Sequence, residues 1–204
     1  MTWIPLALSR DVPVGTTRAA ILDGAELVIW RGSAGTAQVW EDRCPHRGMR
    51  LSFGFVRENS LNCLYHGWRY EAGSQCLRIP AHPDLAVPPT IRARAFRAHE
   101  AAGLIWLQQN AEDPFPQLPP MTPLASLAVD ASQSTILGAL AAPPQAEVQM
   151  IAADIAGIPF YIGWHAVEPT KTMLHVSVKP EAEPGQAVSA LYDLREQLES
   201  KVAA

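Results

Sequence analysis

Hydrophobic and polar positions alternate in short runs over the first half of the chain. "AELVIWRG" and "TAQVWED" are apolar β-formers separated by Gly and Ser, which predicts a hairpin. "LSFGFVRE", "LNCLYHGWRYE" and "GLIWLQQ" read the same way, so Trp3 to about Leu107 is expected to form short strands joined by turns. Strands at this spacing predict a sandwich or barrel, not βαβ units. The pattern breaks at "EDPFPQLPPMTP", five Pro in twelve residues, which predicts an extended linker over 113–125 that cannot sit inside a sheet. Beyond it, "AEVQMIAAD", "IPFYIGWHAV" and "TMLHVSVKP" predict three strands. In "AVSALYDLREQLESKV", Val188, Leu191, Leu194, Leu198 and Val202 recur at helical spacing, an amphipathic helix expected to pack on that sheet. The expected fold is mainly β: a β-sandwich or barrel over 1–112, the linker, and a small α+β segment over 126–204.

Composition narrows the partners. A net charge of −4 excludes nucleic-acid binding driven by overall positive charge. The charge is uneven: residues 1–100 hold 12 Arg against 9 acidic residues, while 101–204 hold 4 basic and 11 acidic residues, so the halves are expected to meet different surroundings. The N-terminus "MTWIPLALSR" lacks the basic start and apolar run of a signal peptide. The apolar run at "ILGALAAPP" is far short of a membrane span. Three Cys favour metal or catalytic use over a disulfide framework. The expectation is a cytoplasmic protein with no nucleic-acid or membrane partner.

The chemistry concentrates in "CPHRGMRLSFGFVRENSLNCLYHGW", where Cys44 and His46 are two apart and, sixteen residues on, Cys63 and His66 are three apart. Three readings compete. The four can be unrelated, two buried Cys acting as small hydrophobes and two surface His. They can form a structural zinc site, although each His follows its own Cys in a loop and the usual helical His pair is missing. Or they can hold a [2Fe–2S] cluster of the kind in which two His replace two Cys on one iron. That chemistry takes one Cys and one His from each of two loops, with Cys44 and Cys63 on the inner iron and His46 and His66 on the outer, exposed one. Gly48 and Gly67, just past the ligand loops, would let backbone N–H groups approach the cluster sulfides.

"CPHRG", "CLYHGW" and the following "CLRIPAHPD" resemble the Rieske domain of aromatic-ring-hydroxylating oxygenases, the vanillate-demethylase-like group included. The resemblance covers roughly residues 1–120, with "WIPLALSRDVPVG" and "LVIWR" fitting the family's opening and "GLIWLQQ" its last strand. Leu64 stands where the family usually has Pro. The resemblance implies one Rieske [2Fe–2S] cluster per chain on Cys44, His46, Cys63 and His66. The loop cysteines and serine of high-potential respiratory Rieske proteins would fall at Met49, Tyr65 and Trp68, and none is present. A low potential follows, suited to electrons from an NAD(P)H-linked reductase or a ferredoxin, with an oxygenase catalytic component as acceptor and a homo-oligomer, a trimer in the family, as a possible assembly. Cys76 has no partner left and reads as a buried structural thiol. Trp68 reads as packing beneath the cluster. Arg43, Arg47, Arg50 and Arg69 crowd the loops, either as a solvated face or as a docking patch for an acidic donor.

A complete oxygenase subunit of that family carries mononuclear iron on a 2-His-1-carboxylate triad. Residues 108–204 hold only His165 and His175, both in expected strands, with no acid at helical spacing before them. The segment resembles a reduced form of that catalytic domain, its closing strands and last helix. The leading expectation is therefore an electron carrier in a ring-hydroxylating or demethylating oxygenase system, without mononuclear iron. The alternatives are an oxygenase subunit whose iron is held by His165, His175 and Asp154, and a zinc-binding or assembly module.

Overall fold

The computed structural model describes residues 3–109, 114–141 and 143–200. In chain order, the strands are β1 (Trp3–Leu8), β2 (Thr17–Leu22), β3 (Ala25–Arg31), β4 (Ala37–Glu41), β5 (Phe55–Arg57), β6 (Ser60–Asn62) and β7 (Arg69–Glu71). They continue with β8 (Cys76–Arg78), β9 (Ala95–Phe96), β10 (Ala98–Ala101), β11 (Leu104–Gln108), β12 (Thr122–Val129), β13 (Met150–Ile155), β14 (Ile158–Glu168) and β15 (Lys171–Val178). The α-helices among the described residues are α1 (Gln133–Leu140) and α2 (Pro184–Ser200). Among the described residues no helix is long and apolar enough to cross a membrane.

The chain divides into two units. Residues 9–21 and 25–98 form a cysteine-bearing unit of two four-stranded sheets, β2-β3-β4-β9 and β5-β6-β7-β8. The predicted hairpin is β3 and β4, antiparallel with Ile29 opposite Val39. Its inward face carries Val28, Trp30 and Trp40, and the two indoles meet edge to face at 5.0 Å. Such a pair adds about 1 kcal/mol beyond its area. This core runs on through Leu61 and Tyr70 to Cys44 and Cys63, so the metal-capable thiols are its last buried layer. "LNCLYHGWRYE" is not one strand as expected. It is β6, a tight loop and β7, because Gly67 takes φ +67°, a conformation no strand contains.

The other described residues form a helix-bearing unit with two sheets, β1-β11-β10 and β12-β15-β14-β13. One face of the second sheet presents Phe160, Ile162, Trp164, Leu174 and Val176 to α1 and α2. Its other face meets β1, with Gly163 so close to Pro5 that an added Cβ would lie 2.7 Å from Cγ.

Four expectations change. The C-terminal sheet has four strands, not three, because β12 starts at Thr122, inside the expected linker. Pro123 is accommodated because β12 is an edge strand with a register shift between Pro123 and Ala125. Residue 113 of that linker lies outside the described residues. Among the described residues there are two α-helices, not one: α1 is capped by Ser132, whose side chain accepts from Thr135 N at 3.2 Å. The buried stripe of α2 is Ala187, Ala190, Leu191, Leu194 and Leu198, whereas Val188 is exposed and Val202 is outside the described residues. The two units do not follow the 1–112 and 126–204 boundaries, since β1 pairs with β11 and both belong with the C-terminal sheet.

Candidate metal centre

Two loops of the same construction carry the Cys and His residues. In the first, Cys44 N donates to Met49 O at 2.8 Å and Gly48 N donates back to Cys44 O at 2.8 Å. In the second, Cys63 N donates to Trp68 O at 2.9 Å and Gly67 N to Cys63 O at 3.0 Å. Gly48 and Gly67 both sit in the left-handed region, at φ +72° and +67°, which a side chain strains by about 1–2 kcal/mol. The glycine N–H groups thus serve the loop itself. Those that favour the Cys44 thiolate belong to His46 and Arg47, and those that favour the Cys63 thiolate to Tyr65 and His66. Behind the first loop, the buried Asp42 accepts from Ser52 N at 2.6 Å and Ser52 Oγ at 2.5 Å.

The four candidate ligands separate into pairs. Cys44 and Cys63 are both buried and close enough for one thiol to donate to the other. That bond draws the Cys44 thiol down to about 6, helped by the Tyr70 hydroxyl and the two amides and opposed by burial. Cys63, the donor, is pushed up by the same bond and by burial. At the loop tips the His46 and His66 rings lie 4.7 Å apart, His46 half-buried and His66 exposed. Trp68 stacks on His46 at 4.3 Å and 7° and packs against the core that holds Cys44 and Cys63, so it orients a candidate ligand. Among the described residues no three His, Cys, Asp or Glu side chains converge as they would on a single ion. A buried soft-sulfur pair and an outer imidazole pair match two irons, each with two protein ligands.

One contact was not foreseen from sequence. Tyr70 Oη lies 3.1 Å from Cys44 Sγ, in the buried core. The only signal was a Tyr four residues past His66, on the strand leaving the loop. Cys76 is buried, its thiol pushed up by burial and bonded to Arg78 O at 3.6 Å.

In the helix-bearing unit, His165 and His175 come together in adjacent strands. His165 Nδ1 is 2.8 Å from Pro5 O, His175 Nε2 is 3.3 Å from His165 Nδ1, and His175 Nδ1 is 2.9 Å from Ser126 Oγ. Asp154 does not join them. It is exposed at the β13–β14 turn and accepts from Gly157 N at 2.9 Å.

Comparison with known proteins adds the decisive observation. Residues 2–89 match the family model described as the Rieske [2Fe–2S] domain. The chain carries a Rieske domain. Oxidoreductase NdmD of Pseudomonas putida is 44% identical over 105 residues, 51% of this chain and 18% of that protein. The 3-chlorobenzoate-3,4-dioxygenase oxygenase subunit of Comamonas testosteroni is 34% identical over 119 residues, 57% of this chain and 28% of that protein. The chain thus spans less than a third of the length of these curated relatives. Apo dicamba monooxygenase shares the fold, with TM-score 0.76 at 17% identity over 97% of this chain and 85% of that one. The mainly β expectation, with a Rieske domain ahead of a strand-and-helix segment, is borne out. A Rieske domain implies a [2Fe–2S] cluster, and the donor set of the two loops fits one.

Proposed function

We propose that the chain is an electron-transfer component of an oxygenase system, holding a Rieske [2Fe–2S] cluster on Cys44, His46, Cys63 and His66. The observation that carries this reading is the two-by-two arrangement: a buried pair of thiols, Cys44 drawn towards the anion, and imidazoles at the surface 4.7 Å apart. When bound, the cluster would supply a reversible one-electron couple. The residues do the rest. Backbone amides and the Tyr70 hydroxyl stabilise negative charge at the cysteine sulfurs, and Trp68 fixes the plane of His46. The exposed His66 edge faces the solvent side, where a partner can approach. The donor is an NAD(P)H-linked reductase or a ferredoxin, and the acceptor an oxygenase catalytic component. The similarity to an oxidoreductase and to dioxygenase oxygenase subunits supports this setting.

Iron and acid-labile sulfide analysis, with visible spectroscopy, tests the proposal. The carrier should hold about two irons and two sulfides per chain and be coloured. A third, sulfide-free iron would mean an oxygenase subunit with its own mononuclear site, and a colourless zinc protein would overturn both.

A further inference from the structure

The arginines around the loops fall into two classes. Arg50 is ion-paired with Glu26, its Nε 3.1 Å from Oε2. Arg69 donates to Ser60 Oγ at 2.9 Å and approaches Glu58 at 3.4 Å. Arg43 and Arg47 meet no carboxylate among the described residues. Together with Arg92 and Arg94, from the segment after β8, they line a cleft of about 400 Å³ whose wall is the Cys44 loop itself. Arg43 crosses Gly48, its Nε 3.2 Å from where a Cβ would stand. Arg92 is held by neutral acceptors only: Pro89 O at 3.0 Å, Gly73 O at 3.3 Å and Gln75 Oε1 at 3.2 Å. Arg94 lies over the Phe96 ring at 5.3 Å. Against four guanidinium groups the cleft has one carboxylate, Glu41.

On the second loop, beside His66, the exposed side chains are apolar: Leu64 at 57% and Tyr65 at 59%. The loop tips meet at the His46–His66 pair, so that pair lies between a cationic cleft and an apolar tip. Forks of uncompensated guanidinium groups match carboxylates, steer an acidic partner and fix its register, while exposed apolar groups supply the patch that desolvates on contact.

We propose that the Arg43–Arg47–Arg92–Arg94 cleft and the Leu64–Tyr65 tip form the docking surface for an acidic electron-transfer protein, whose carboxylates enter the cleft and bring its redox centre against the His pair. This rests on the electron-transfer reading and deepens it. It also divides the four loop arginines: Arg43 and Arg47 belong to the surface, Arg50 and Arg69 to the protein's own ion pairs.

The test uses the full chain with its cluster assembled and, as donor probe, reduced plant-type [2Fe–2S] ferredoxin, an acidic one-electron carrier, followed by stopped-flow absorbance. At about 0.15 M ionic strength exposed charges are screened beyond about 8 Å, so contact dominates over the long-range field. Arg47→Gln with Arg94→Gln should slow the second-order step about tenfold and flatten its salt dependence, with the visible spectrum unchanged. Arg50→Gln with Arg69→Gln removes the same charge and should change the rate less than about twofold. With a basic c-type cytochrome as oxidant, loss of Arg47 and Arg94 should speed the reaction instead. Equal slowing by the two double variants, or no slowing by the first, overturns the docking surface in a protein that still holds its cluster and accepts electrons. A wild-type chain that binds no iron overturns the underlying reading instead.

Discussion

The molecule has two pairs of adjacent histidines, and they are built for opposite ends. His46 and His66 sit on loops at the surface, each following a buried cysteine, and neither ring nitrogen has a hydrogen-bond partner among the described residues. His165 and His175 sit in neighbouring strands, 2% exposed, with ring nitrogens engaged by Ser126, Pro5 O and each other. A carbonyl only accepts, so His165 carries its proton on Nδ1. His175 Nε2, 3.3 Å away, faces the same proton, and His175 Nδ1 shares a hydrogen bond with Ser126 Oγ. Proximity of two imidazoles is therefore not a metal site in itself. What separates the pairs is whether ring nitrogens are already engaged within the protein and whether cysteine thiols stand beside them.

Ligand removal probes this contrast with the largest expected effect. Cys44→Ser or Cys63→Ser should abolish bound iron and colour, since a cluster iron would lose one of its two protein ligands. His175→Gln should leave iron and colour intact and act on stability. Removing a ring from this buried network takes a partner from Ser126 Oγ and from His165 Nδ1, at a cost of about 1–3 kcal/mol read from denaturant midpoints. If His175→Gln removed one equivalent of iron while the cluster spectrum remained, the two pairs would not differ in the way described.

The smallest effect should come from Tyr70. Its hydroxyl favours the more negative state of the Cys44 sulfur, so Tyr70→Phe should make the reduction potential more negative. A loss of about 1 kcal/mol corresponds to roughly 40 mV for one electron. The metal-free protein offers a second reading of the same bond. Cys44 is drawn down to about 6, so its thiolate should appear in ultraviolet absorbance as pH rises through about 6, while Cys63 and Cys76, both pushed up, remain thiols at neutral pH. Tyr70→Phe removes a donor to the thiolate and should move that step to higher pH, and Cys44→Ser should delete it. A step that ignores both substitutions would assign the ionisation elsewhere.

These contrasts also separate what the sequence made legible from what it hid. The spacing of the candidate ligands was legible because it is local: a Cys, a His and a left-handed Gly within one tight loop, twice. The β3–β4 hairpin was equally visible, being a contact between neighbours. Tyr70 was not, because its contact with Cys44 spans 26 residues and exists only once β7 turns back under the first loop. Pro123 hid β12, since a proline-rich stretch reads as linker until an edge position excuses the missing N–H. In α1 only eight residues are helical, too few for a period to stand out. The pairing of β1 with β11, which carries the first residues into the helix-bearing unit, follows from a closure of about a hundred residues that no local pattern encodes. His165 and His175 were rightly expected in strands, but their mutual hydrogen bond depends on the β14–β15 register.

The central claim is that His46 and His66 bind one iron of a cluster whose other iron takes Cys44 and Cys63. Electron–nuclear double resonance on the dithionite-reduced protein, grown with ¹⁵N-labelled histidine, measures this most directly. Two strongly coupled histidine nitrogens should be seen in the wild type and in His175→Gln, and one should vanish in His46→Cys and likewise in His66→Cys. Two couplings that persist through both loop substitutions, or a reduced cluster with no histidine nitrogen coupled to it, would contradict the assignment.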